Sequence, residues 1–141
     1  LELNAKELVH RNNKNSELTV YGYTPMMVSV QCVQKTMDHC NHACVQYVLK
    51  DRYQKEFRGV CSCEFCYNTI YNTLPTSLLK EKEKAEKLGV KAYRLSFTTE
   101  TQQETEKIVR AFVDVYLRGQ KPDGQMQTEE TTKGHFQRGV E

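Results

Sequence analysis

All six cysteines of this 141-residue chain fall between Cys32 and Cys66. Their spacing is Cys32-x7-Cys40-x3-Cys44-x16-Cys61-x-Cys63-x2-Cys66. Secreted disulfide scaffolds are usually shorter and spread their cysteines through the whole chain. A cluster, without a basic segment leading into an apolar one, points to a reduced, cytoplasmic setting in which the thiols act as ligands. The chain opens on Leu1 without an initiator methionine, so the natural N-terminus is expected upstream.

Soft thiolates are the preferred protein ligands of zinc and of iron–sulfur clusters, and both commonly take four. Cys63-Glu64-Phe65-Cys66 is a C-x2-C knuckle, in which one tight turn aims two sulfurs at one ion. A second pair is expected from Cys32, Cys40 or Cys44. Between the two groups, residues 45–52 and 56–61 read as short strands joined by Tyr53-Gln54-Lys55. Folded as an antiparallel hairpin, they bring the flanking cysteines together in the outline of a zinc ribbon. His39 and His42 flank Cys40 and are candidate replacements for a thiolate. Structural Zn2+, a [4Fe-4S] cluster, disulfides and buried free thiols all remain open on spacing alone.

The rest of the composition narrows the partners little. Hydrophobic residues make up 38% and charged residues 27% of the chain, as in ordinary globular domains. No run approaches the ~18 apolar residues of a membrane span. The net charge of +2 is dispersed, without the dense Lys/Arg stripe that marks a nucleic-acid surface.

Outside the cysteine segment the pattern alternates strand and helix, which predicts an α/β fold with a parallel sheet. Residues 1–4, 17–21 and 92–97 read as strands, and residues 5–11 as a short helix. Residues 25–30 continue as an extended apolar stretch. Ser77 is the expected cap of a helix reaching Leu88, with Gly89 at its C′ position. The charges from Lys80 to Lys84 are assigned to its solvated face. Thr101 and Glu104 form a capping box for a last helix that buries Ile108, Phe112 and Val115 and ends near Gly119. Residues 120–132 are polar and read as a linker. The closing motif from Thr132 to Val140 is expected to be more ordered and to lead into a following domain.

Several strings resemble the peptidase U32 family: Leu1-Glu2-Leu3-Asn4, Tyr21-Gly22, Pro25-Met26-Met27-Val28-Ser29, Leu49-Lys50-Asp51-Arg52, Cys66-Tyr67-Asn68-Thr69-Ile70-Tyr71-Asn72, Tyr93-Arg94-Leu95, and Thr132-Lys133-Gly134-His135-Phe136-Gln137-Arg138-Gly139. They cover nearly the whole chain in family order. The resemblance implies the C-terminal portion of a TIM-like (β/α) barrel over residues 1–119, its last three strands at 1–4, 17–21 and 92–97. A cysteine-rich β-hairpin, residues 32–66, would be inserted between the final two, and residues 120–141 would form a tail. It also implies a ligand set of Cys32, Cys40, Cys63 and Cys66, with Cys44 and Cys61 as extras that could substitute. Phe57-Arg58-Gly59-Val60 stands where the family usually has Phe-Pro-Val. Barrel sites gather at the C-terminal ends of strands, which makes Asn4 and Arg94 the catalytic candidates, near Tyr21 and Gly22.

The family is named for collagenase-like proteolysis, yet it includes iron–sulfur proteins that hydroxylate RNA or ubiquinone precursors. No Gly-x-Ser-x-Gly elbow or His-Glu-x-x-His helix occurs in the chain. The expected function is therefore that of a fragment of a cluster-dependent RNA-modifying enzyme, with Tyr21, Tyr23, Tyr67 and Tyr71 as stacking candidates for a base. Two alternatives stand beside it, a protease acting on protein and a zinc-stabilised, non-catalytic binding module. With three barrel strands of eight, the fragment is expected to be inactive alone and to self-associate through its exposed sheet edges.

Overall fold

The computed structural model describes residues 3–37, 40–122 and 130–137. In chain order its elements are α1 (Ala5–Val9), β1 (Glu17–Gly22), β2 (Pro25–Ser29), α2 (Val33–Thr36), β3 (Val45–Lys50), β4 (Glu56–Ser62), β5 (Tyr67–Tyr71), β6 (Thr76–Ser77), α3 (Lys82–Glu86), β7 (Ala92–Ser96) and α4 (Gln102–Phe112). The fold is mixed α/β, with two sheets and few helices. Neither sheet closes into a barrel among the described residues. The chain divides into two units, Leu1–Gly22 with Leu74–Glu141, and Tyr23–Thr73.

The first unit carries a three-stranded sheet in the order β6-β1-β7. β1 and β7 run parallel, from Glu17 opposite Ala92 to Gly22 opposite Ser96. Gly22 permits that last pairing: its φ of +147° disfavours any side chain, and a Cβ there would lie 2.5 Å from the Ser96 carbonyl oxygen. α4 follows β7 as the capping box predicts. Thr101 Oγ1 accepts from Glu104 N at 3.3 Å, and the Glu104 carboxylate accepts from Thr101 N at 2.6 Å. The helix runs on through a wider π-type turn at Val113–Leu117, and Gly119 then takes a φ of +72°. Phe112 and Val115 are buried, Ile108 packs against them, and Val20, Tyr21, Leu78 and Leu79 belong to the same core.

Two expectations change here. Leu3 and Asn4 are not in a strand; Leu1 and Glu2 lie outside the described residues. Asn4 instead caps α1, its side chain accepting from Glu7 N at 3.0 Å while Glu7 bonds back at 2.8 Å. Ser77 does not open a helix. Its backbone N–H donates to Thr132 O and that of Leu78 to Val20 O, both at 2.8 Å, so the chain is extended there. A 3-10 turn at Leu79–Glu81 and the short α3 follow. The closing motif, from Thr132 to Gln137 as described, packs Phe136 into this same core. Arg138, Gly139, Val140 and most of the polar linker lie outside the described residues.

Glu81 is buried, at 7% exposure, within a charge run expected to face solvent. It is held by Lys84 Nζ at 2.7 Å, by Gln137 Nε2 at 3.1 Å and by an ion pair with Lys133. Burial opposes its charge, but the hydrogen bonds and charges of Lys133 and Lys84 outweigh it and lower its pKa below the ordinary 4.5. A carboxylate whose pKa falls on folding contributes stability above its unfolded pKa and loses it as pH drops through the folded value. The first unit should therefore weaken as pH falls below about 4.5, and Glu81→Gln should flatten that dependence. Thermal melts of both proteins between neutral pH and about pH 3 check this.

The second unit is an antiparallel sheet in the order β2-β5-β4-β3. The β3–β4 hairpin keeps an unbroken register, from Val45 opposite Cys61 to Lys50 opposite Glu56. Asp51 shapes its turn, with Oδ1 accepting from Tyr53 N at 2.7 Å and Lys55 N at 2.9 Å. Gly59, in the string that departs from the U32 pattern, faces Tyr47. A Cβ there would fall 2.3 Å from the Tyr47 ring, so the glycine makes room for it.

Candidate metal centre

The sulfurs converge because strand and turn geometry deliver them from three places in the second unit. Cys32 precedes α2 as its N-cap. Cys40 and His42 lie in the loop between α2 and β3, with His42 in the left-handed region at φ +58°. Cys61 sits near the end of β4, paired with Val45 on one side and Asn68 on the other. Cys63 opens the 3-10 turn Cys63–Phe65, and Cys66 closes it at φ +52°. Among the described residues, two of the three non-glycine residues with positive φ thus flank the thiol cluster; the third, Gln54, is in the hairpin turn. Such conformations need support from their surroundings and recur where a site is being shaped.

The ligand atoms of Cys40, His42 and Cys63 all lie within 4.8 Å of one another, close enough to hold a metal ion. Cys63 is buried, while Cys40 and His42 are exposed. Burial raises the Cys63 pKa, followed by the charge of Cys40. A cation placed among these atoms would reverse that penalty by favouring thiolates. The donor set of two soft sulfurs and one imidazole fits zinc and, with a further thiolate, an iron–sulfur cluster.

The other members of the implied set lie around this group. Cys66 is exposed, with its thiol donating to the Cys63 carbonyl at 3.6 Å. Cys32 and Cys61 are both buried, their sulfurs 3.5 Å apart. A backbone N–H of Lys35 lowers the Cys32 pKa first, and the Cys61 thiol adds to this. Burial, then the same contact with Cys32, pushes Cys61 up to about 11. Cys44 is exposed just before β3. His39 lies outside the described residues.

Asn4 and Arg94 belong to the first unit, and each is engaged by a local partner there. Asn4 serves the α1 cap, and Arg94 is an exposed side chain in an ion pair with Glu17 of the adjacent strand. Of the stacking candidates, Tyr21 is buried against Phe97 and Phe112, with ring centroids 5.5 and 6.1 Å away. Tyr23 is buried under the Arg58 guanidinium. Tyr67 instead stacks with Phe65 at 6.4 Å, and Phe65 is 70% exposed. Phe65 was not among the stacking candidates; its signal in the sequence is an apolar residue inside the C-x2-C knuckle.

Asn68 is the buried residue that sequence reasoning missed. It is 1% exposed, and its Nδ2 donates to Gln31 O at 2.5 Å. Its Oδ1 and the Tyr47 hydroxyl have no hydrogen-bond partner among the described residues. Both line a cleft of about 280 Å³ with Met27, Val33, Met37 and Ile70.

No family model matches the chain, and comparisons with curated proteins and with solved structures found no match. Among the described residues no helix is long and apolar enough to cross a membrane.

Proposed function

We propose that the second unit holds a metal centre built on Cys40 and Cys63, completed from Cys66, Cys32 and His42. We further propose that the chain is the C-terminal part of a U32-type barrel enzyme that hydroxylates RNA with the help of a [4Fe-4S] cluster. The observation that carries the metal reading is the convergence of Cys40, His42 and Cys63 within 4.8 Å. When bound, a cluster would supply redox chemistry. The residues here would hold it and offer the exposed Phe65, stacked with Tyr67, as a platform for a base. In support of the barrel reading, β1 and β7 are parallel neighbours although the whole second unit lies between them in sequence.

One observation favours a second reading. His42 stands in the donor group, and mixed Cys/His sets are characteristic of structural zinc. Under that reading the unit is a zinc-stapled, non-catalytic module. A collagenase-like protease would need the same side chains as nucleophile and base. Among the described residues no hydrogen bond orients the His42 ring for that task.

Metal analysis and the visible spectrum of protein purified without oxygen decide between them. Iron and sulfide with a broad band near ~400 nm support the cluster, stoichiometric zinc supports the module, and the absence of both rejects a metal centre. We also propose that the isolated chain self-associates through its open sheet edges, most readily through β2, where Met26, Met27 and Val28 are each more than half exposed. Sedimentation velocity should show species larger than a monomer, and a single monomeric boundary would reject this.

A further inference from the structure

We propose that Cys32 and Cys61 form a dithiol–disulfide couple that reacts with low-molecular-weight disulfides, and that its oxidation withdraws Cys32 from the metal-ligand pool. The first half stands on the geometry of the pair alone, and the second rests on the metal reading above.

The two sulfurs are 3.5 Å apart and need to close to about 2 Å to bond. Both backbones are fixed from several sides. The Cys32 carbonyl accepts from Thr36 N and from Thr36 Oγ1, each at 3.0 Å. Cys61 is held in the middle of the sheet by Val45 and Asn68. Side-chain rotation is then the motion available for bond formation. Neither sulfur belongs to the Cys40–His42–Cys63 group, and among the described residues the pair has no third donor that would make a separate metal site.

Access is one-sided. Both thiols are buried, Cys61 at 0% and Cys32 at 4% exposure, but only Cys32 of the two lines an open cleft of about 490 Å³, with Val30, Gln31, Lys35, Thr36 and Cys66. The Lys35 ammonium in that cleft suits a disulfide bearing carboxylates, of which glutathione disulfide is the simplest biological case. Cys32 is thus the entering thiol and Cys61 the resolving one.

The exchange balances without a further reagent. The Cys32 thiolate attacks one sulfur of glutathione disulfide, whose S–S bond breaks, and the departing glutathione thiolate takes up a proton. Cys61 then gives up its proton and attacks Cys32 Sγ, breaking the mixed disulfide and releasing the second glutathione. Two protein thiols are oxidised and one disulfide is reduced to two thiols.

The test uses the whole chain, reduced and stripped with a chelator, then equilibrated in buffers of graded reduced-to-oxidised glutathione ratio. Free thiols are alkylated and the products mapped by mass spectrometry. The expected first product is a Cys32–Cys61 cross-link that disappears when reduced glutathione is restored. In Cys61→Ser, a single glutathione adduct should accumulate on Cys32. A first cross-link between any other pair, or Cys32 and Cys61 still alkylated throughout, overturns the couple. Mapping of the unmodified chain decides this even if the variant fails to fold. Zinc titration of the two redox forms tests the second half, with affinity expected to fall about 100-fold on oxidation. Equal affinity in both forms would reject the regulatory role and leave the couple standing. Zinc and iron binding by neither form would instead reject the metal reading.

Discussion

Cys63→Ser protein, purified without oxygen, will retain almost none of the metal carried by the parent chain. Structural metal sites of four ligands are worth roughly 10–16 kcal/mol, or about 3 per ligand, which corresponds to a loss of about 100-fold or more in affinity. Cys63 should show the full effect because it is the buried member of the donor group and opens the knuckle that also presents Cys66. Cys44→Ser is the matching control. Cys44 is exposed and stands outside the donor group, so its replacement should leave metal content within a factor of about 2, the ordinary scatter of such contributions. Inductively coupled plasma analysis of both variants beside the parent checks this. Equal retention by Cys63→Ser would move the centre to other thiols.

Gly22→Ala should destabilise the first unit by about 3 kcal/mol. Two penalties combine: a φ of +147° that side chains avoid, and a backbone oxygen 2.5 Å from the new Cβ. The strand ends must separate to relieve the second, and that disturbs the β1–β7 pairing beside Tyr21. Gly89→Ala isolates the first penalty. Gly89 has a φ of +62° with nothing within 4 Å of a Cβ, so its replacement should lose only about 1 kcal/mol. Urea unfolding followed by far-UV circular dichroism is the suitable measurement, since the chain has no tryptophan. Similar losses for the two variants would mean that the close approach to Ser96 is relaxed at little expense.

What the sequence made legible follows from how local each signal is. β1, β7 and the β3–β4 hairpin could be placed because β-branched and aromatic runs, and the short turn at Tyr53-Gln54-Lys55, act over a few residues. α4 was placed by Thr101 and Glu104, which need only each other. β6 could not be read, because two residues carry no periodicity and their partners, Tyr21 and Gly22 on β1 and Thr132, lie more than fifty positions away. The same distance hid the burial of Glu81, whose partners Lys133 and Gln137 return late in the chain. Asn4 reads as a strand end after Leu1 and Leu3, although Asn4 and Glu7 also spell a capping box. For the site, the C-x2-C knuckle announced Cys63 and Cys66. His42 was a candidate from its place beside Cys40, but the grouping of these two with Cys63, and the contact of Cys32 with Cys61 across 29 positions, depend on loop and sheet geometry that spacing does not encode.

The second unit leaves and rejoins the chain through neighbouring strands. Pro25 on β2 faces Tyr71 on β5, and Thr24 O accepts from Asn72 N at 2.9 Å. A segment whose two ends meet in this way behaves as a cassette. It can be spliced into a surface turn of an unrelated host without forcing that turn apart, and it can be deleted leaving only a small gap to bridge. Its redox and ligand properties should therefore travel with residues 23–73 and need no borrowing from the scaffold that carries them.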